Sequence, residues 1–142
     1  MNWILWALLS AFFAGITAIL AKIGVAGVDS NLATAIRTTV VLIFSWGIAC
    51  ATSPLASLQT LSRRTWLFLA LSGLATGLSW LCYFRALQLG PASRVAPVDK
   101  LSVVFAIALA ALILHEKLTW QHWVGGSLIL IGAVVLALPR PA

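Results

Sequence analysis

Charge is what this chain has least of. Only 8% of its 142 residues are Asp, Glu, Lys or Arg, where a soluble globular domain carries about a quarter. Nine basic and three acidic side chains cannot keep a surface wet when 62% of the residues are apolar. A water-soluble enzyme is excluded on that ground. The formal charge of +6 does not indicate nucleic acid as a partner, because such binders gather their basic residues in a patch. Here Lys22, Arg37, Arg63, Arg64, Arg85, Arg94, Lys100, Lys117 and Arg140 are scattered at or near the ends of apolar runs, as charges are in membrane proteins. The composition is that of an all-α integral membrane protein.

Cysteine is nearly absent too. Cys50 falls near the end of the second apolar run and Cys82 well inside the third. Their depths differ by roughly 20 Å at the helical rise, too far for a disulfide. The thiols therefore report no redox compartment. Catalytic motifs are also missing. His115 and His122 flank Glu116, but three or four ligands at metal spacing are lacking. No Gly-rich phosphate loop or nucleophile elbow occurs. The sequence implies neither a cofactor nor an enzyme.

What the chain does have is long apolar runs. A hydrocarbon core about 30 Å thick needs roughly 20 residues of helix, and five segments qualify: 3–25, 32–52, 66–89, 95–114 and 120–138. Their separators read as turns. Gly27 supplies a helix stop, and Asp29, Ser30 and Asn31 are candidate caps for the next helix. Pro54 with Arg63-Arg64, then Gly90-Pro91-Ala92-Ser93, then His115-Glu116-Lys117 mark the later breaks, and Pro139 and Pro141 end the last run. The first run has no Lys or Arg ahead of it and is too long for a signal-peptide core, so a retained helix is expected. Nothing between the runs is long enough to fold, so a five-transmembrane-helix bundle over residues 1–142 is expected as one domain. Basic residues do not fix its orientation. The balance tips either way depending on whether Lys22, Arg37, Arg85 and Lys100, just inside helix ends, are counted. A chain that inserts both ways would have this property.

Polar groups inside the runs are the candidate functional residues, since a charge in hydrocarbon marks either an internal pair or a solute path. Helical phase puts Lys22 on the face of Ala11, Gly15 and Ala18, pointing into the bundle. Asp99 shares a face with Ala106 and Ala110, and Arg37 lies beside Thr34, Thr38, Ser45 and Thr52. Arg85 falls with Leu74, Leu78 and Leu81, a lipid-facing position from which it would snorkel. Lys100, about 100° around the helix from Asp99, is not expected to pair with it. Three readings stay open for Asp99. It is neutralised by Arg37 or Lys22 as a structural tie, or it belongs to a polar vestibule for an anionic or zwitterionic solute, or it carries a coupling proton.

Ser72, Thr76, Ser79 and Tyr83 form a polar stripe on the third run, which either lines a wet cavity or bonds to a neighbouring helix. Five of the seven tryptophans lie near run ends, where interfacial belts form; Trp46 and Trp80 are deeper. The tryptophans tempt toward an aromatic cage for organic cations. With most of them at run ends, only Trp80, one turn before Phe84 and beside the polar stripe, is a candidate cavity wall, and otherwise it is packing. Gly73 and Gly77, with Gly125, Gly126 and Gly132, suit close helix packing.

Tyr83-Phe84-Arg85-Ala86-Leu87 followed by Gly90-Pro91-Ala92-Ser93-Arg94-Val95-Ala96-Pro97, and Leu114-His115-Glu116-Lys117-Leu118-Thr119 with Gly125 to Leu136 after it, resemble the EamA domain of the drug/metabolite transporter superfamily. Ala21-Lys22-Ile23-Gly24 fits as well. The resemblance implies a carrier of the inner membrane. Many relatives join two such five-helix units in inverted orientation around a cavity, a general transporter solution. This chain supplies one unit of that inverted-repeat fold, so an antiparallel homodimer is the implied completion. Small multidrug relatives couple through a glutamate in their first helix; no acid stands there in this chain. Glu116 matches a family position at a helix end, a structural place. The expected function is transport of a small metabolite or drug-like solute across the lipid bilayer by alternating access, with Lys22, Arg37, Asp99 and Lys100 setting charge preference and Ser79, Trp80 and Tyr83 lining the path. A non-transporting subunit, or half of a heterodimeric lipid-carrier flippase, is the alternative.

Overall fold

A computed structural model describes residues 2–138. The expected helix end at Pro139 and Pro141, and Arg140, lie outside the described residues. The helices are α1 (Trp3–Gly24), α2 (Ser30–Thr52), α3 (Arg63–Leu89), α4 (Ala92–Asp99), α5 (Ser102–Ile113) and α6 (Trp120–Ala137). Hydrocarbon offers the backbone no hydrogen-bond partners, so a spanning segment must satisfy its own amides as helix. Five spans are long and apolar enough to cross a membrane, α4 and α5 together forming one of them. The protein is an all-α, multi-pass membrane bundle.

The helix ends follow local chemistry. Gly27 takes φ +74°, a left-handed conformation that costs glycine nothing. Two residues on, Asp29 caps α2, its Oδ1 accepting from the Asn31 and Leu32 amides at 2.9 and 3.1 Å. Between α2 and α3 the chain forms a 3-10 segment, Leu55–Thr60, where the sequence suggested only a turn. Ser62 Oγ then accepts from the Thr65 amide at 3.1 Å, which starts α3 ahead of the expected Trp66. His115 occupies the left-handed region after α5, with φ 54°. The Glu116 amide reaches back to the Ala110 carbonyl at 3.2 Å, so Glu116 sits in the helix stop.

The fourth span departs from expectation. A single helix over 95–114 is replaced by α4 and α5, broken around Lys100 and Leu101. Pro97 has no amide to give the Ser93 carbonyl. After it the chain tightens: the Lys100, Leu101, Val103 and Val104 amides each bond three residues back, at 2.9–3.1 Å. Helical phase therefore does not carry from Asp99 through to Ala106 and Ala110.

The described residues divide into two compact units, one drawn from Met1–Lys22 and Leu89–Ala142, the other from Ile23–Gln88. In the first, α4 and α5 both lie along α6. The start of α4 adjoins the end of α6, and α5 adjoins its beginning. That is an antiparallel hairpin turning at 114–119. Few side chains are buried: Ala18, Ala21 and Ala133 in this unit, Val25, Phe84 and Leu87 in the other. Large apolar side chains such as Phe105 and Ile43, each 68% exposed, face outward, as lipid is their solvent.

The glycines contribute less to packing than their spacing suggested. A Cβ added at Gly73, Gly77, Gly125 or Gly132 would meet nothing within 4 Å, and one at Gly126 would meet Ile107 Cδ1 at 3.8 Å. Small-residue packing is thus confined to Gly126 of that set. Cys50 and Cys82 are free thiols, both exposed.

Candidate functional site

The unit 23–88 brings together three of the residues named from sequence. Arg37 enters α2 about 10 Å beyond Ser30 at the helical rise. Its guanidinium carbon lies 4.1 Å from the Trp80 ring centroid and 5.6 Å from that of Phe84, on α3. Tyr83 is within electrostatic reach of the same guanidinium. Trp80, Phe84 and Gln88 recur every four residues, so α3 turns one face toward the cation. At the end of that face Gln88 Nε2 donates to the Val28 carbonyl at 2.6 Å, and Gln88 Oε1 accepts from Arg85 Nη1 at 2.9 Å. This pins the end of α3 to the turn that starts α2, and the register of Arg37 on Trp80 follows. Gln88 escaped the reading of the sequence, although its spacing from Trp80 and Phe84 was the available signal. Arg85, assigned there to lipid, is exposed but tied to this amide.

The aromatic rings are therefore occupied by the protein's own cation. A guanidinium at the centre of a spanning helix costs about 2.5–3.5 kcal/mol on insertion scales, and a stacked ring returns about 0.5–2 kcal/mol. The rings offset part of that cost. Within this unit no carboxylate meets Arg37: its one acid, Asp29, caps α2.

Threonines near Arg37 have a different fate. Thr34 Oγ1 donates to the Ser30 carbonyl and Thr38 Oγ1 to that of Thr34, both at 2.7 Å. Thr76 does the same to Ser72 at 2.9 Å. Such back-bonding satisfies the hydroxyl within its own helix. Ser72, Thr76 and Ser79 are exposed along α3, while Tyr83 is half-buried.

The remaining candidates fall in the other unit. Lys22, half-buried near the end of α1, donates from Nζ to the Gly90 carbonyl at 2.9 Å. That carbonyl follows α3, where a cation complements the helix terminus. Asp99 Oδ2 lies 3.4 Å from Lys100 Nζ, with side chains 36% and 56% exposed. The pair excluded by helical phase exists because the helix stops at Asp99, and a long lysine stem closes the distance. Within its own unit, Asp99 makes this contact with its neighbour.

His122 belongs to a helix start. Its Nδ1 accepts from the Thr119 amide at 3.1 Å and lies 2.9 Å from Thr119 Oγ1. It also lines an apolar groove with Ile107, Trp123 and Gly126. Among the described residues no group of three His, Cys, Asp or Glu side chains could hold a metal.

Residues 1–138 match the EamA-like transporter family. The chain belongs to that family. It is 53% identical over 137 residues to an uncharacterized transporter in the cobO 3′ region of Sinorhizobium sp., covering 96% of this chain and 97% of that one. A probable 4-amino-4-deoxy-L-arabinose-phosphoundecaprenol flippase subunit, ArnE, of Enterobacter sp. is 35% identical over 74 residues, 52% of this chain and 69% of that one. A probable magnesium transporter, NIPA3, of Arabidopsis thaliana is 38% identical over 58 residues, only 16% of its length. No solved structure matches significantly. The protein is thus a transporter by family, and its exposed apolar helices are those of a membrane-embedded chain.

Proposed function

We propose that the chain is one half of an inner-membrane carrier that moves a small solute by alternating access, completed by a second copy in antiparallel orientation. Arg37 carries this reading. It is a guanidinium within a spanning helix, seated on Trp80, with no carboxylate of its own unit against it. Beside it on α3, Ser79 and the stripe to Ser72 are exposed. A polar stripe facing hydrocarbon is unfavourable, and a second copy facing it would turn the same surface into a wet cleft. The undecided basic-residue balance supports insertion in both directions. Arg37, Ser79, Trp80 and Tyr83 line the path in this reading. Lys22, Asp99 and Lys100 are the remaining charged candidates for setting charge preference, and no catalytic step is required.

Similarity to ArnE supports a second reading, in which the chain is a subunit of a heterodimeric flippase for a lipid-linked sugar. Reconstituted liposomes separate the two. Uptake of one member of a panel of amino acids, cations and nucleosides by the chain alone, above empty vesicles, is the expected result. Lipid translocation seen only with a different partner chain supports the flippase. No flux in either assay removes the carrier reading. Reporters on the C-terminus should signal from both sides of the membrane; a one-sided signal is incompatible with the antiparallel homodimer.

A further inference from the structure

We propose that the Arg37–Trp80–Phe84 stack is a receptor for a phosphoryl oxyanion, a substrate class that deepens the carrier reading and rests on it for its role in transport. Three observations on α2 and α3 converge. The guanidinium carbon sits 4.1 Å from the Trp80 centroid and 5.6 Å from that of Phe84, and a guanidinium over a ring keeps N–H donors of its fork available to an oxyanion. Those donors match two oxygens of a phosphoryl group side by side.

The charge of this unit points the same way. Residues 23–88 contain Arg37, Arg63, Arg64 and Arg85 against Asp29 alone. Asp29 Oδ1 accepts from the Asn31 and Leu32 amides, so the unit's one acid is engaged at the α2 start. Within this unit Arg37 has no acidic counterpart, a place that an anion would fill. An organic cation, the ligand that a tryptophan inside a span first suggests, would have to displace Arg37 from the ring it already covers.

Geometry also fixes the receptor in place. The Gln88 bond to the Val28 carbonyl at 2.6 Å joins the α3 end to the α2 turn, and the Arg85 bond holds Gln88 oriented. The guanidinium is thereby presented on a braced pair of helices, and preorganised donors lose less freedom on binding.

Inorganic phosphate and a phospholipid headgroup share this chemistry, and one experiment distinguishes them. The purified full chain in neutral detergent is heated with inorganic phosphate, with phosphatidic acid in mixed micelles, and with acetate or chloride at matched ionic strength. The expected result is a rise in melting temperature with at least one phosphoryl probe and none with acetate or chloride. Protection by inorganic phosphate identifies a soluble phosphorylated solute; protection by phosphatidic acid alone identifies a headgroup. Arg37→Gln should weaken the apparent affinity about tenfold or more, the loss of a charged hydrogen-bond pair. Arg64→Gln, at an arginine 5.8 Å from the Phe68 ring at the opposite end of α3, should leave the protection intact. If Arg37→Gln fails to fold, Arg37→Lys keeps the charge without the fork and should still bind several-fold more weakly. Equal protection by acetate, no protection by either phosphoryl probe, or protection unchanged in Arg37→Lys overturns the site. Binding is read without flux, so protection in a chain that moves nothing sinks the carrier reading alone. Flux without protection sinks the receptor alone.

Discussion

The two units hold their helices together by opposite means. Around α6, α4 and α5 approach closely, and a Cβ at Gly126 would touch Ile107 Cδ1 at 3.8 Å. Between α2 and α3 the links visible in the structure are long side chains: Arg37 on Trp80, and Gln88 on Val28. Lipid tails are as apolar as leucine, so apolar burial gives little reason for helices to associate in a membrane. What remains is van der Waals contact at short range or a polar bond at longer range. The first makes a rigid hairpin. The second leaves a polar contact that a solute can join, which is why the candidate site lies on α2 and α3.

Substitutions can break that contrast. Gly126→Leu should destabilise the protein most, by about 1–3 kcal/mol from overpacking against α5, whereas Gly126→Ala should be tolerated because the added Cβ meets Ile107 at an ordinary 3.8 Å. Thermal unfolding in detergent measures both, and equal losses would mean that the α5–α6 contact is not size-limited. Trp80→Leu should cost about 1–2 kcal/mol by removing the cation–π contact, and it should depress transport as well. A stable variant with full transport would place the solute elsewhere.

Smaller effects sharpen the comparison. His115→Gly should stabilise by about 1 kcal/mol, since glycine adopts the left-handed φ of 54° without a Cβ penalty. Its melting point should rise with transport unchanged. Asp99→Asn should shift stability least, by about 0.5 kcal/mol or less, because its pair with Lys100 is partly exposed. A flux assay then decides its role: a large loss of transport at near-normal stability marks a gating or coupling carboxylate, and normal transport leaves only a surface pair.

Much of the architecture was legible in the residues. All five spans, the Asp29 cap and the Gly27 and His115 stops lie where local chemistry puts them. Apolar run length and cap type are properties of a short stretch, and neither needs a neighbour. The 3-10 segment after Pro54 and the break at Lys100 were not read. For the second, Pro97 was in view, but a proline kinks or breaks a helix according to what its surroundings re-satisfy. The candidate site was half legible. Arg37, Trp80 and Tyr83 were each named, but the seating of Arg37 on Trp80 was not.

Chain chemistry alone determined that this is a membrane protein of helices, because hydrocarbon forces every backbone amide to find a partner within its own segment. Only the tertiary structure decided that Arg37 lies on Trp80 and that Gln88 ties the end of α3 to the turn before α2. Helical phase states which way a side chain points; which helix stands opposite, and at what distance, is set by contacts between segments far apart in the chain.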